Sequence, residues 1–115
     1  MIRFKTSIKE SPGKGNGLFA EEFIPKGELV YEDSISKIHK DNVTFSKEYM
    51  DMYTWIVGDY LYFCNDDTMY INHSFTPSVN GVDGTALKDI IVGEEITEHY
   101  STFDPSFETY KNLLK

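Results

Sequence analysis

Apolar residues come in short bursts along this chain, separated by clusters of glycine, proline and acidic residues. From Phe4 to Lys9 they alternate loosely with polar positions, the two-residue period of a strand. Ser11-Pro12-Gly13-Lys14-Gly15-Asn16-Gly17 is so dense in breakers that a loop is predicted, after which Leu18-Phe19-Ala20 resumes a strand. Phe23 to Gly27 turns the chain, and Glu28 to Ile38 reads as extended structure. The spacing then changes: Tyr49, Met50, Met52, Tyr53, Ile56 and Val57 recur at threes and fours and predict a short helix from Tyr49 to Val57. Tyr60 to Cys64 predicts a strand closed by Asn65-Asp66-Asp67, and a loop through Pro77 leads to a turn at Val82-Asp83-Gly84. Two further strands, Ala86 to Val92 and Glu94 to Tyr100, are predicted to meet near Gly93. The apolar residues of the tail, among them Phe103 and Phe107, predict a packed helix. Many short strands with this punctuation make a mostly-β domain with little helix.

Length adds that residues 1–115 suit one domain, and no repeat, linker or low-complexity tract divides them. Charge adds more: 11 basic against 19 acidic residues give a formal net charge of -8. Such a surface repels phosphate backbones, so direct nucleic-acid binding is disfavoured, whereas a Lys/Arg-rich peptide would be attracted. Cys64 is the one cysteine, which excludes an internal disulfide and a Cys-rich zinc site. His39, His73 and His99 with that single thiol make no convincing metal site. The amino-terminal residues lack the apolar run of a signal peptide, and no stretch approaches the ~20 apolar residues of a membrane span. The expectation is an intracellular protein, in the cytoplasm or a (host) nucleus, with no membrane partner.

Four segments carry the chemistry. They are Gly15-Asn16-Gly17-Leu18-Phe19-Ala20, Ile24-Pro25-Lys26-Gly27-Glu28-Leu29-Val30, Asn72-His73-Ser74-Phe75-Thr76-Pro77, and Lys88 through Gly93-Glu94-Glu95-Ile96-Thr97-Glu98-His99-Tyr100. In this order the series resembles the SET domain family of protein lysine methyltransferases. The resemblance implies a β-clip fold of short strands in small sheets, with a pseudoknot-like threading of the C-terminal part. It also implies S-adenosylmethionine as methyl donor, S-adenosylhomocysteine as product, no metal, and a lysine in a basic protein tail, possibly histone H3 in chromatin, as acceptor.

Methyl transfer from a sulfonium to an amine is an in-line displacement in which positioning dominates. Glycines at 15 and 17 let backbone approach a cofactor closely. By the resemblance, Lys14, Gly15, Asn16 and Gly17 lie beside the donor, with Asn72 and His73 also in contact with it. Tyr100 would orient the reacting methyl group beside the incoming amine. A free lysine, with a pKa near ~10.4, is charged at neutral pH, and an apolar aromatic channel favours its neutral form. Tyr60 and Tyr62 are the candidate channel walls, Tyr60 also as a catalytic residue. One of the two is expected to face the core.

The chain departs from the family at several points. Phe75 stands where Cys is common, Ser78 where Asn is common, and Glu98-His99 where Tyr-Asp is common. The Cys-rich segment that follows the final tyrosine in many members is missing. In this the chain resembles the short viral and bacterial members, and residues 101–115 are expected to substitute for that segment. Phe103 or Phe107 would stack on the adenine or close the channel, and a homodimer partner is a further way to finish the site. The alternative reading is a weak or inactive SET-fold module that binds basic peptides.

Overall fold

The structure is a computed structural model, and it describes residues 1–32, 35–102, 104–105 and 107–110. Among the described residues, seven strands form two small sheets. β1 (Thr6–Ser11) and β2 (Gly15–Ala20) make an antiparallel hairpin, with Ser11 opposite Gly15 and Thr6 opposite Ala20. β7 (Glu95–Glu98) lies on the other side of β2, and β6 (Asn72–His73) pairs with β7 in parallel, giving the order β1-β2-β7-β6. The second sheet is β3-β5-β4, built from β3 (Ile35–His39), β4 (Thr54–Val57) and β5 (Tyr60–Cys64). A mainly β architecture of small sheets is therefore what the chain adopts.

The core sits under the first sheet. Leu18, Ala20 and Ile96 from β2 and β7 pack with Ile24, Val30, Ile71, Val79, Ala86 and Ile90. β7 is central, and Ile96, Thr97 and Glu98 are all buried. Ser78 and Val79 add a second grip on it: Thr97 N–H donates to Ser78 Oγ (3.0 Å), and Val79 N–H donates to Thr97 O (3.0 Å). The second sheet rests mainly on rings, with Phe45 against Phe63 and Tyr49, and Tyr53 against Tyr70.

Three elements differ from their predicted form. Gly15 to Gly17 is strand, not loop, because the turn closes within residues 12–14 and β1 pairs with the glycines directly. The helix α1 starts at Lys47, capped by Ser46, whose side chain accepts from Tyr49 N–H (3.2 Å), and it stops at Tyr53. Thr54-Trp55-Ile56-Val57 is strand, as β-branched and aromatic residues prefer on a pleated surface, so the helical spacing of Ile56 and Val57 is coincidental. Ala86 to Val92 makes only isolated bridges, at Ala86 and at Ile90 with Ile24. Its partner segment contains Pro25, which has no N–H for a continuous ladder. Lys26 N–H donates instead to Asp89 Oδ1 (2.9 Å). The second helix, α2 (Phe107–Tyr110), lies in the predicted tail.

At Gly84 the chain passes close against the backbone of Tyr31. Its φ is +76°, and a Cβ there would fall 2.2 Å from the backbone oxygen of Tyr31. Left-handed strain and overpacking add, so Gly84→Ala is expected to destabilise by about 3 kcal/mol. For a domain of this size that lowers Tm by roughly 15 °C. Thermal unfolding followed by circular dichroism checks it, and a loss under about 0.5 kcal/mol, the range of neutral surface changes, would refute the clash.

Candidate functional site

The strand pair β6–β7 sets the geometry. Because side chains alternate along a strand, β7 sends Glu95 and Glu98 to opposite faces. Glu95 reaches the glycine strand: its Oε2 accepts from Asn72 Nδ2 (2.8 Å), and its Oε1 accepts from Ser11 Oγ (2.8 Å). Asn72 Nδ2 also donates to Asn16 O (3.0 Å), which ties β6 to β2. There is no space for a side chain at Gly17, where a Cβ would lie 2.6 Å from Glu95 Oε2 and 3.1 Å from Asn72 Nδ2. At Gly15, with φ +78°, the corresponding space is open. Lys14 Nζ donates to His73 O (2.9 Å), so Lys14, Asn16, Gly17, Asn72 and His73 meet on one side of the first sheet.

Tyr100 is held at both ends by the same short segment. Its backbone N–H donates to His73 Nδ1 (3.1 Å), and its hydroxyl donates to Ile71 O (3.1 Å). Ile71 in turn lines a cavity of about 370 Å³ with Tyr31, Ile35, Trp55, Cys64 and Glu98. Ile35 and Val82 of its lining are exposed, while Ile71 and Glu98 are buried. Ile71 thus links the two places: it accepts from the Tyr100 hydroxyl, lines this cavity, and directly precedes Asn72-His73.

The profile of the SET domain matches residues 15–101. The chain belongs to the SET domain family. Among solved structures, this SET domain is similar to a Plasmodium falciparum protein designated a candidate histone methyltransferase. The TM-score is 0.64 at 22% identity, over 86% of this chain and 95% of that one. It is also similar to a chain of the ctPRC2 assembly, autoinhibited and bound to S-adenosylmethionine (TM-score 0.64, 22% identity, 98% of this chain and 17% of that one). A further ctPRC2 structure, in complex with a trimethylated form and a methionine variant of histone H3, has a TM-score of 0.63 at 22% identity, over 84% of this chain and 14% of that one. Among curated protein sequences no significant match is found.

The remaining expected residues fall in distinct places. Tyr60 and Tyr62 share one face of β5, since residues two apart point the same way, and the buried residue between them is Leu61. Neither tyrosine turns into the core. Tyr60 lies at the sheet end, edge-on to His39 (5.4 Å) and under Lys37 Nζ (4.7 Å). Tyr62 stacks on Trp55 (6.0 Å between centroids, 19° between planes), and it is Trp55 that lines the cavity. Phe107, expected in the channel, is buried against His73 (5.4 Å) and His99 (5.0 Å) and is not among the residues that line the cavity. Phe103 lies outside the described residues. Ser78 is a buried brace for β7, and Glu94 is paired with Lys88 on the surface (3.1 Å).

Tyr31, Trp55, Glu95 and Glu98 were not singled out as site residues from sequence. The run of β-branched and aromatic residues in Thr54-Trp55-Ile56-Val57 was the available signal for Trp55. Nothing local marks Tyr31 as a partner of Glu98, 67 residues away.

Electrostatics separate the two faces. The His73 ring is buried, and burial, with His99 and Lys14 nearby, pushes its pKa down to about 4. Its Nδ1 accepts from Tyr100, so the ring proton is on Nε2, which is buried with no hydrogen-bond partner among the described residues. Burial, with Glu98, Cys64 and Glu95 adding to it, pushes the Tyr100 hydroxyl well above its ordinary value, so it is a permanent donor. Glu98 accepts from the Tyr31 hydroxyl (2.5 Å), which lowers its pKa, but burial dominates and pushes it up to about 7.

A carboxyl whose folded pKa is raised stabilises the fold below its unfolded value, and that contribution is lost as pH rises through the folded value. Relative to wild type, Glu98→Gln is thus expected to gain stability between about pH 4.5 and pH 7, by up to about 3 kcal/mol. Urea melts of both proteins across this range measure it. A difference independent of pH would show that Glu98 ionises as freely as a surface acid.

Proposed function

We propose that this SET domain transfers a methyl group from S-adenosylmethionine to the lysine amine of a basic protein segment, with the histone H3 tail as the first candidate. The observation that carries the reading is Tyr100, whose backbone bonds to His73 beside the glycine strand while its hydroxyl bonds to Ile71, a residue that lines a cavity with Tyr31 and Trp55. An in-line displacement needs this arrangement, because donor and acceptor must approach the reacting carbon from opposite sides.

The residues on the glycine face fit the donor. The crowded Gly17 allows backbone approach, and the open side of Gly15 leaves room for it. Both N–H groups of Asn72 are used within the protein, so its amide oxygen is the group that can accept from a ligand. The rings of His73, His99 and exposed Phe75, with centroids 4.5 to 5.5 Å apart, offer an aromatic surface for a heterocycle. When bound, the cofactor supplies an electrophilic methyl group on a sulfonium.

The chain itself supplies position. Lysine methylenes fit between Trp55, Tyr31 and Ile35, which strip water from the stem. Ile71 O fixes the Tyr100 hydroxyl, and the backbone bond to His73 fixes its ring, so the hydroxyl keeps its place at the reacting centre. The protein's net charge of -8 draws a basic tail to the cavity mouth. Membership of the minimal viral or bacterial type, work in the cytoplasm or nucleus, and a homodimeric state complete the proposal.

Incubating the protein with isotopically labelled donor and a histone H3 tail peptide should label lysine. Tyr100→Phe should lower turnover at least about tenfold, about 1.4 kcal/mol in the barrier, with Tm nearly unchanged. Equal turnover in the variant would remove Tyr100 from the reacting centre. Donor binding without transfer to any basic peptide would favour a binding module.

A further inference from the structure

The cavity contains a feature that lysine burial alone does not require, a carboxylate at its inner wall. Glu98 is 7% exposed, and its Oε2 lies 3.6 Å from where a Cβ on Gly81 would sit, another lining residue. Two other acids line the cavity, but each is engaged nearer solvent. Glu32 is paired with Arg3, and Asp83 Oδ1 accepts from Thr85 N–H (3.0 Å) and Thr85 Oγ1 (2.7 Å). No Lys, Arg or His is among the described residues that line it. A buried anionic pocket with no cation of its own, opening at a mouth that can admit a side chain, is shaped for a cationic guest.

We propose that Glu98, held by Tyr31, is the proton acceptor that converts the target lysine from ammonium to amine inside the cavity. This deepens the methyltransferase reading and rests on it. The proton passes from lysine Nζ to a Glu98 oxygen and leaves the lone pair on nitrogen. That pair forms the new bond to the methyl carbon as the carbon–sulfur bond breaks. The positive charge of the sulfonium ends on the methylated amine, and the Glu98 proton departs to solvent, so charge and atoms balance.

The surroundings suit this role. The titratable groups facing Glu98 are the hydroxyls of Tyr31 and Tyr100 and the thiol of Cys64, with Asp83 and Glu32 at the wall. Burial pushes both hydroxyls and the thiol up, so all three stay protonated and neutral across the working range. The Tyr31 donor stabilises the carboxylate that burial would otherwise neutralise, leaving Glu98 poised near neutrality, where an acceptor is most effective. Tyr31 acts as a positioning residue through Glu98.

The test compares kcat/KM for an H3 tail peptide from pH 6 to 9.5 in wild type, Glu98→Gln and Tyr31→Phe. Wild type should rise through the Glu98 titration and level off by about pH 8. Glu98→Gln should be at least about tenfold slower near neutrality and should keep climbing about tenfold per pH unit toward the lysine value near ~10.4. Tyr31→Phe, which loses only the donor, should shift the acid limb to higher pH and keep the plateau.

Carbon-13 NMR of the glutamate carboxyls, without donor or peptide, should show one group titrating near neutrality that vanishes in Glu98→Gln and moves up in Tyr31→Phe. Parallel pH profiles in wild type and Glu98→Gln would overturn the proposal, as would a Glu98 carboxyl titrating in the ordinary range. If Glu98→Gln does not fold, an unshifted Tyr31→Phe profile and titration decide against it. Absence of any transfer by wild type sinks the methyltransferase reading and this proposal together, whereas transfer with unaltered pH dependence in the variants sinks this proposal alone.

Discussion

The parallel pairing of Asn72-His73 with Thr97-Glu98 is two residues long, yet both faces of the site are built from it. The pairing brings the end of β7 alongside Ile71 to His73, so Tyr100 can bond to this segment through its backbone and its hydroxyl at once. So short a ladder is weak alone. It is held because β7 is central, with β2 on one side and Ser78-Val79 adding hydrogen bonds around Thr97. Rigid placement of the Tyr100 hydroxyl is thus a consequence of strand order, with the core beneath supplying most of the stability.

From that strand the division of labour follows by parity. Glu95 and Glu98 are three apart, so one faces the glycine strand and the other the cavity. The first is consumed in structure, bridging Ser11 and Asn72. The second is buried beside Tyr31, and burial raises its pKa, an environment in which functional carboxylates are found. Exchanging the two environments would need only a one-residue slip of β7, which would also expose Ile96, so the core protects the chemistry.

How much of this could be read from the sequence depends on whether a residue's neighbours are local. Lys14, Asn16, Asn72, His73 and Tyr100 are brought together by the structure, and each sits in a segment whose order of residue types is itself distinctive. The strand character of Gly15 to Gly17 was not legible, because glycine reads as a breaker until its partner β1 is known. Trp55 was hidden by a helical spacing that α1 uses only as far as Tyr53. Tyr31 and Glu98 were hidden because what joins them is a hydrogen bond between distant segments. Tyr60 and Tyr62 attracted notice as paired rings, but a two-residue spacing puts both on the face opposite Leu61, where Trp55 takes the inner position.

Burial at the two sides of Tyr100 acts on its neighbours in opposite senses. His73 is driven toward its neutral form, and Glu98 resists ionisation. As pH falls from about 6.5 to 4 the first lowers stability, because the unfolded imidazole takes up a proton that the folded one resists, and as pH rises from about 4.5 to 7 the second lowers it, because the unfolded carboxyl gives one up first. In the fold, neither buried group is charged between about pH 4 and pH 7. An unpaired buried N–H on His73 adds about 1–3 kcal/mol of its own. Replacing these groups with apolar residues would relieve all three costs. Neither group is explained by packing alone, and under the proposed function charge at Glu98 and a fixed ring at His73 are what a transfer at Tyr100 would use.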